Sequence, residues 1–343
     1  MHNTANKTAR KIASSLLLST RLALVMASNI AIAAPASAAD WLFRPFEGPS
    51  TYTSEFGARF WFGRTNTSKD LYDDVGVAKL SRLSYTGLGI DSAELFTRFD
   101  VNTGWFLKGY VGGGGFTKGK LIDEDFPPLT DPYSATFSAQ HASSPVYASV
   151  DAGLNIVRGG DFRLGAFVGY HLLRQEISAF GCNQVAFNAD ICGTFSVPAS
   201  VRVITQINNW HSARVGLDAA VELGHWRLSV DAAWVPYAWL DGADTHWLRV
   251  GTNVGDFTGA VPEDGKGWGY QLDAFLSYRL TEAISIGVGA RYWHLESKGF
   301  THFDGHVVGV AASPQVVTWK TDNFGALLQA SIKLGPYPVV SSY

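Results

Sequence analysis

Apolar and polar residues alternate with a period of two in segment after segment of this chain. Beyond its amino-terminal stretch, no run approaches the ~18 consecutive apolar residues of a membrane helix. Tyr270, Leu272, Ala274, Leu276, Tyr278 and Leu280 fall on one side of an extended segment, with Gln271, Asp273, Ser277 and Arg279 on the other. Ala148, Val150, Ala152, Leu154 and Ile156 oppose Ser149, Asp151, Gly153 and Asn155 in the same way, and Phe162, Leu164, Ala166 and Val168 oppose Arg163, Gly165 and Gly169. Successive side chains of a strand point to opposite faces, so each segment presents one apolar face that must be covered. Helices do not account for a chain that is 46% hydrophobic, 13% aromatic and carries 36 glycines and 11 tryptophans. Lipid does: alternate residues of a closed barrel face the bilayer, and aromatics collect at its two interfaces.

The pattern recurs near Val215 to Leu223, Trp226 to Trp234, Ile284 to Tyr292, Phe324 to Leu334 and Trp105 to Gly115, with Ser54 to Gly63 and Leu80 to Asp100 as an opening hairpin. The expected fold is all-β, an antiparallel transmembrane barrel of about ten strands, an even number as a single-chain barrel requires. Short turns at Asn102 to Gly104, Arg158 to Asp161, Gly224 to His225 and Thr281 to Glu282 read as periplasmic. Long polar connections read as extracellular loops: Arg64 to Lys79, Phe116 to Ser144, Ser178 to Ala199, Leu240 to Lys266 and Ser297 to Val317. Asp151, Arg163, Arg214, Asp218, Glu222, Arg227, Asp231, Asp273, Arg279, Arg291 and Lys333 share the inward parity, so both charge signs fill the lumen. Barrels of about this size are packed with side chains, which argues against a diffusion pore.

Lys7, Arg10, Lys11 and Arg21 precede a mostly apolar stretch from Leu22 to Ala34 and the small residues Ala36-Ser37-Ala38. This is the tripartite pattern of a secretory signal, placed at residues 1–38, with the barrel domain over residues 39–343. Export implies an oxidising compartment, so Cys182 and Cys192, the only cysteines, are expected to form one loop disulfide. A net charge of −3 gives no reason to expect nucleic acid. The tail from Gly335 to Tyr343 extends past the last strand pattern and reads as a periplasmic extension.

Two acidic motifs stand out in the long connections. Asp123-Glu124-Asp125 lies in the second and Asp244-Thr245-His246 in the fourth, and a barrel puts both at one rim. Residues two apart in an extended segment point the same way, so each pair can converge on one atom. Strict alternation from Trp226 through Trp234 would turn Asp244 and His246 outward, so a kink or bulge at Pro236 or Gly242 is needed to reset the parity.

The stretch from Gly112-Gly113-Gly114-Gly115 to Leu121-Ile122-Asp123-Glu124-Asp125-Phe126 resembles the second extracellular loop of the omptins, a family of outer-membrane endopeptidases. The likeness extends through Arg163-Leu164-Gly165-Ala166-Phe167-Val168-Gly169-Tyr170 and Asp244-Thr245-His246, with loop order in step from about Ser54 to Leu334. The resemblance implies an aspartic-type endopeptidase on the extracellular side, monomeric, acting on peptides or proteins without a metal or other cofactor. Asp123 and Asp125 take the role of one acidic pair and Asp244 and His246 that of the other. His246 would be general base, Asp244 its orienting partner, Asp123 a holder of the water, and a protonated Asp125 a support for the water or oxyanion.

The same resemblance implies a dependence on lipopolysaccharide, with Tyr170 and Arg174 as lipid-binding residues; the acidic residue expected between them is replaced by Leu172, and a second basic position is Asn209. Tyr170 reads equally well as an ordinary aromatic-belt residue. Selection of basic substrates depends in this family on acidic groups of the first and fourth loops. Here Gly242 stands two before Asp244, leaving Asp241, Asp70, Asp73 and Asp74 as candidates. His302-Phe303-Asp304-Gly305-His306 reads as a solvated loop, because histidines four apart converge on a metal on a helix face and this segment is not helical. A second class of function is a non-enzymatic barrel that binds ligands or host surfaces through its loops, with its acidic groups able to hold calcium; His246 suits water activation and not a calcium site.

Overall fold

The computed structural model describes residues 52–126, 132–140, 144–186, 188, 192 and 196–335; the expected leader over 1–38 and the tail beyond Gly335 lie outside the described residues. Twelve β segments follow in order: β1 (Tyr52–Tyr72), β2 (Lys79–Val101), β3 (Trp105–Phe116), β4 (Gly119–Asp125), β5 (Ser134–Gln140), β6 (Ser144–Arg158), β7 (Phe162–Gln184), β8 (Val197–Leu223), β9 (Trp226–His246), β10 (Val261–Arg279), β11 (Ile284–Thr301) and β12 (Gln315–Leu334). Every ladder is antiparallel, and β1 pairs with both β2 and β12, which closes the sheet. β3 and β4 both lie along β2, and β5 and β6 both lie along β7, so twelve segments fill ten positions around the ring. The ten-stranded barrel expected from the alternation is the fold.

The break between β3 and β4 is itself hydrogen-bonded: Thr117 N–H donates to Gly89 O and Gly89 N–H to Lys118 O, both at 2.9 Å. Gly87, with φ at 68°, takes the left-handed conformation that this irregularity of β2 requires. Around the lower part of the sheet, Gly112 faces the ring of Tyr147 so closely that a Cβ would strike it. Gly112 therefore serves close packing.

The four short turns fall where the sequence places them, at 102–104, 159–161, 224–225 and 280–283. The long connections do not. Strands extend deep into what reads as loop: β4 and β5 lie within Phe116 to Ser144, and β1, β7, β8, β9, β10, β11 and β12 run into the other four. β1, β2 and β8 run to 21, 23 and 27 residues, far beyond the ~10 that cross a bilayer. Above the membrane both faces of the sheet are polar, as with outward Ser68 and Asp70 against inward Thr67 and Lys69, so the period-two contrast that marks a strand vanishes there.

Outward-facing aromatics form two girdles, Trp105, Phe162 and Trp226 beside the short turns and Tyr237, Trp268 and Tyr270 higher up, with Val168, Leu217, Leu272 and Val288 exposed between them. Asp244 lies seven residues past Tyr237, which places it ~15–20 Å above the upper girdle on a tilted strand. Inside, Arg291 is wholly buried, donating to Glu94 at 2.7 Å and Asp273 at 2.7 Å. Arg214 pairs with Asp231 and Asp151, Lys108 with Asp218 and Asp231, and Arg98 with Asp100 and Asp218. A layer of rings from Trp61, Tyr110, Tyr147, His171 and Trp293 sits on these ion pairs, with Trp293 stacked on Tyr110 and over the Arg291 guanidinium at 4.3 Å. The lumen is filled with both charge signs, as the inward parity predicts.

Candidate active site

β9 carries one motif, and its register shows how it reaches the lumen. Before the midpoint of the strand the inward residues are odd-numbered, Ala233 and Val235 among them; after it they are even, with Ala238, Leu240, Gly242 and Asp244 buried. The switch occurs where Ala213 pairs with Tyr237 but Val215 with Trp234, and where Gly267 pairs with Ala238 but Gly269 with Val235. One extra residue of β9 is thus accommodated around Pro236, and both neighbouring ladders skip it. Proline has no N–H to lose from a ladder, which makes it suitable for the bulged position. Of the two positions the sequence offers for resetting parity, the first is used.

β4 carries the other motif. Leu121 is buried, so Asp123 and Asp125 share its inward face, while Ile122 and Glu124 lie on the opposite face. Ser81 of β2 donates to Asp123 Oδ1 at 3.3 Å and also bears on Asp125, its register partner. Across the lumen, His246 Nε2 lies 3.1 Å from Asp244 Oδ2. The same Oδ2 accepts from the Lys69 ammonium at 2.7 Å. Lys69 also pairs with Glu263 of β10, which accepts from Thr301 Oγ1 at 3.0 Å and Gln206 Nε2 at 2.9 Å. Phe257 lies edge-on to the His246 imidazole with ring centroids 5.9 Å apart.

Burial pushes the Asp123 carboxyl up to about 6; His246 opposes this, and Asp125 and Asp244 reinforce it. Burial also raises Asp125, against the pull of His246 and Arg249. Asp244 moves the other way: burial opposes its ionisation, but His246 and Lys69 together hold it below the usual carboxylate range. Burial disfavours the His246 imidazolium, yet the Asp244 carboxylate in contact with it, helped by Asp123, raises it above its ordinary value. The site thus brings an ionised, hydrogen-bonded Asp–His pair opposite carboxyls that keep protons more readily than usual. Such an arrangement can hold a water, take a proton from it, and offer a carboxylic O–H to a developing negative charge.

Other residues singled out from the sequence lie elsewhere. Asp70 faces outward, where Arg82 donates to it at 2.6 and 2.8 Å and Lys79 at 2.8 Å. Asp241 is exposed on the face opposite Leu240 and Gly242, Asp73 caps its own turn by accepting from Val77 N–H at 2.7 Å, and Asp74 sits exposed beside it. Tyr170 is outward among His211 and Trp239, with its hydroxyl on His211 Nδ1, and Arg174 donates to Asn209 at 2.9 Å. His302 pairs with Asp264 at 2.6 Å and lies near Asp304 on the exposed rim, in keeping with a solvated loop. Cys182 and Cys192 form the expected disulfide, although Cys182 belongs to strand β7.

Lys69, Glu263 and Ser81 escaped the sequence reading. Lys69 shares inward parity with Thr65 and Thr67, a signal hidden once Arg64 to Lys79 is taken as loop. Gly242 lacks a side chain, and the Glu263 Cβ of its register partner stands 3.6 Å from where its own would be. An acidic group therefore does occupy the space beside Gly242, supplied by the neighbouring strand and neutralised by Lys69.

No protein-family profile matches this sequence, and no curated protein does either. Among solved structures the chain resembles the outer-membrane protease OmpT from Escherichia coli, with a TM-score of 0.64, 12% identity, and coverage of 83% of this chain and 97% of that one. The fold is that of an outer-membrane β-barrel. Matches to the translocator domain of the autotransporter NalP from Neisseria meningitidis and to OprG from Pseudomonas aeruginosa have TM-scores of only 0.32 and 0.30, at 11% and 10% identity; they cover 92% and 83% of this chain and 97% and 96% of those chains.

Proposed function

We propose that this chain is an outer-membrane endopeptidase of omptin type, with its site on the extracellular rim. The supporting observation is the Asp244–His246 hydrogen bond facing Asp123 and Asp125 inside one rim of a closed barrel. His246 donates Nε2–H to Asp244, so Nδ1 is the nitrogen that takes a proton. A water held between Asp123 and His246 attacks the peptide carbonyl carbon and gives its proton to Nδ1. Asp125 supports the water beside Asp123, and collapse of the tetrahedral intermediate expels the amine, which takes the proton back from His246. No acyl-enzyme forms. Peptide or protein substrates reach the rim from outside, and the outer-membrane lipid surrounds the band below it.

Tyr170 and Arg174, on the outer wall at the height of the upper girdle, are proposed contacts for lipopolysaccharide, on which activity would depend. Selection of basic substrate side chains is not part of this proposal. Asp70 and Asp241 face away from the dyad, and Glu263 already holds an ammonium.

The test is cleavage of a randomised peptide mixture by the refolded protein with lipopolysaccharide, comparing wild type with His246→Ala and Asp123→Asn. Loss of cleavage by ~10²-fold or more in both variants, with the barrel folded, is expected. A wild type that cuts nothing, or variants that cut as well as it does, would sink the reading and favour a barrel that binds through its loops.

A further inference from the structure

We infer that Lys69 is a positioning residue for the Asp–His pair: its ammonium, clamped by Glu263, holds the Asp244 carboxylate ionised and aimed at His246. This rests on the proteolytic reading of that pair, and its geometry is independent of it. Lys69 belongs to β1, which neighbours neither β9 nor β10, so its side chain crosses the lumen to reach both. Its Nζ and the His246 Nε2 meet the same oxygen, Asp244 Oδ2, at 2.7 and 3.1 Å. The far side of the ammonium is secured by Glu263, which is fastened by Thr301 from β11 and Gln206 from β8, and the Trp319 ring of β12 lies 5.3 Å away. Residues of five other strands thus surround or secure the partners of a Lys69 side chain that is 3% exposed.

A buried ion cluster of this kind contributes little net stability, because desolvating the charges offsets their attraction. Its effect on the imidazole is direct. Asp244 must accept Nε2–H for Nδ1 to be the free base, and a protonated Asp244 would compete for that role. The groups facing the pair are Lys69 from β1, Tyr85 from β2, Asp123 and Asp125 from β4 and Glu263 from β10, with Arg249 of the turn after β9 acting on Asp125. Among them Lys69 is the cation in contact with Asp244. Removing it destabilises the state in which Asp244 is ionised and His246 neutral. The first proton then binds the pair more tightly, whichever of the two residues holds it. Lys69 also fills the acid-lined space beside Gly242, so no incoming cation is needed to complete the site.

The experiment uses the refolded full barrel, with Lys69→Met, Lys69→Ala for chemical rescue, and the double variant Lys69→Met/Glu263→Gln. The double variant removes the opposing carboxylate together with the ammonium, so Glu263 is not left buried without its cation. The first readout needs no turnover: the His246 imidazole titration followed by NMR, assigned by its loss in His246→Gln. It is expected to move upward by about one pH unit in the variants. The second is cleavage of the peptide mixture. The rate constant kcat is expected to fall by ~10²-fold with KM changed less than about threefold, the acid limb to move up with the imidazole, and ethylammonium to restore part of the rate to Lys69→Ala. An unmoved imidazole titration in folded double variant overturns the role of Lys69, whether or not the protein cleaves peptides. A wild type that cuts nothing overturns the proteolytic reading instead, while the titration still decides whether Lys69 controls the pair.

Discussion

At the scale of single residues, the site is a set of titrating groups pushed apart by their surroundings. Above its pKa His246 is a neutral base, and that pKa lies above 6.5 because the Asp244 carboxylate outweighs burial. Asp123, at about 6, is largely ionised over the same range. The rate kcat/KM is therefore expected to rise with pH along an acid limb whose midpoint exceeds 6.5. A pH–rate profile on one defined peptide measures it, and a midpoint near 4 would assign the limb to a carboxyl and remove His246 as the base. Asp244→Asn keeps the shape of the side chain but offers an amide that can present N–H to the imidazole. It is expected to lower kcat by ~10²–10⁴-fold with little change in KM, as read from steady-state kinetics.

At the scale of elements, one inserted residue in β9 decides which way the second motif points. A strand shifted by one position moves every later side chain to the other face. Deleting Pro236 should straighten β9, turn Asp244 and His246 outward and abolish cleavage. The barrel itself should persist, since the inward ion pairs formed by residues before the bulge are unchanged. Cleavage assays together with the heat-dependent gel shift of a folded barrel check both halves, and a fully active deletion variant would show that the bulge had simply migrated. The disulfide acts on a different element, the connection after β7. Cys182→Ser with Cys192→Ser removes a closure over a sequence separation of 10, expected to lower resistance to unfolding by about 2–3 kcal/mol. Proteolytic nicking of this connection would rise before the global transition moves.

At the scale of the whole molecule, the barrel interior is a stack of charged and aromatic layers that closes the lumen beneath the rim. Arg291 is its centre, with Glu94 and Asp273 on one side and the rings of Trp61, Tyr110 and Trp293 around its guanidinium. Arg291→Met leaves the Asp273 carboxylate without its partner and Glu94 with Arg59 alone, and is expected to destabilise the barrel by about 3–5 kcal/mol. Asp273→Asn in the same background, with Glu94 kept on Arg59, should recover part of that loss. Urea unfolding of the refolded protein in detergent measures both. Peptide cleavage by the rescued double variant would show that the plug supports the rim without taking part in the chemistry above it.

Where lipid meets the wall and the lumen is polar, the alternation of side chains is a direct record of two different solvents. The sequence alone therefore determined the ten strands, the short turns, the charged interior and the inward sense of Asp123 and Asp125 relative to each other. The requirement for a bulge near Pro236 was also legible, because the parity of Trp226 to Trp234 conflicts with that of Asp244. Above the membrane both faces meet water or polar neighbours, and the record stops. Only the tertiary structure decided that β1 continues through Lys69, that Asp70 faces outward, and that Glu263 fills the space beside Gly242. Those facts depend on register between strands and on side chains crossing the lumen, contacts between residues as distant as Lys69 and Asp244, which no local pattern encodes.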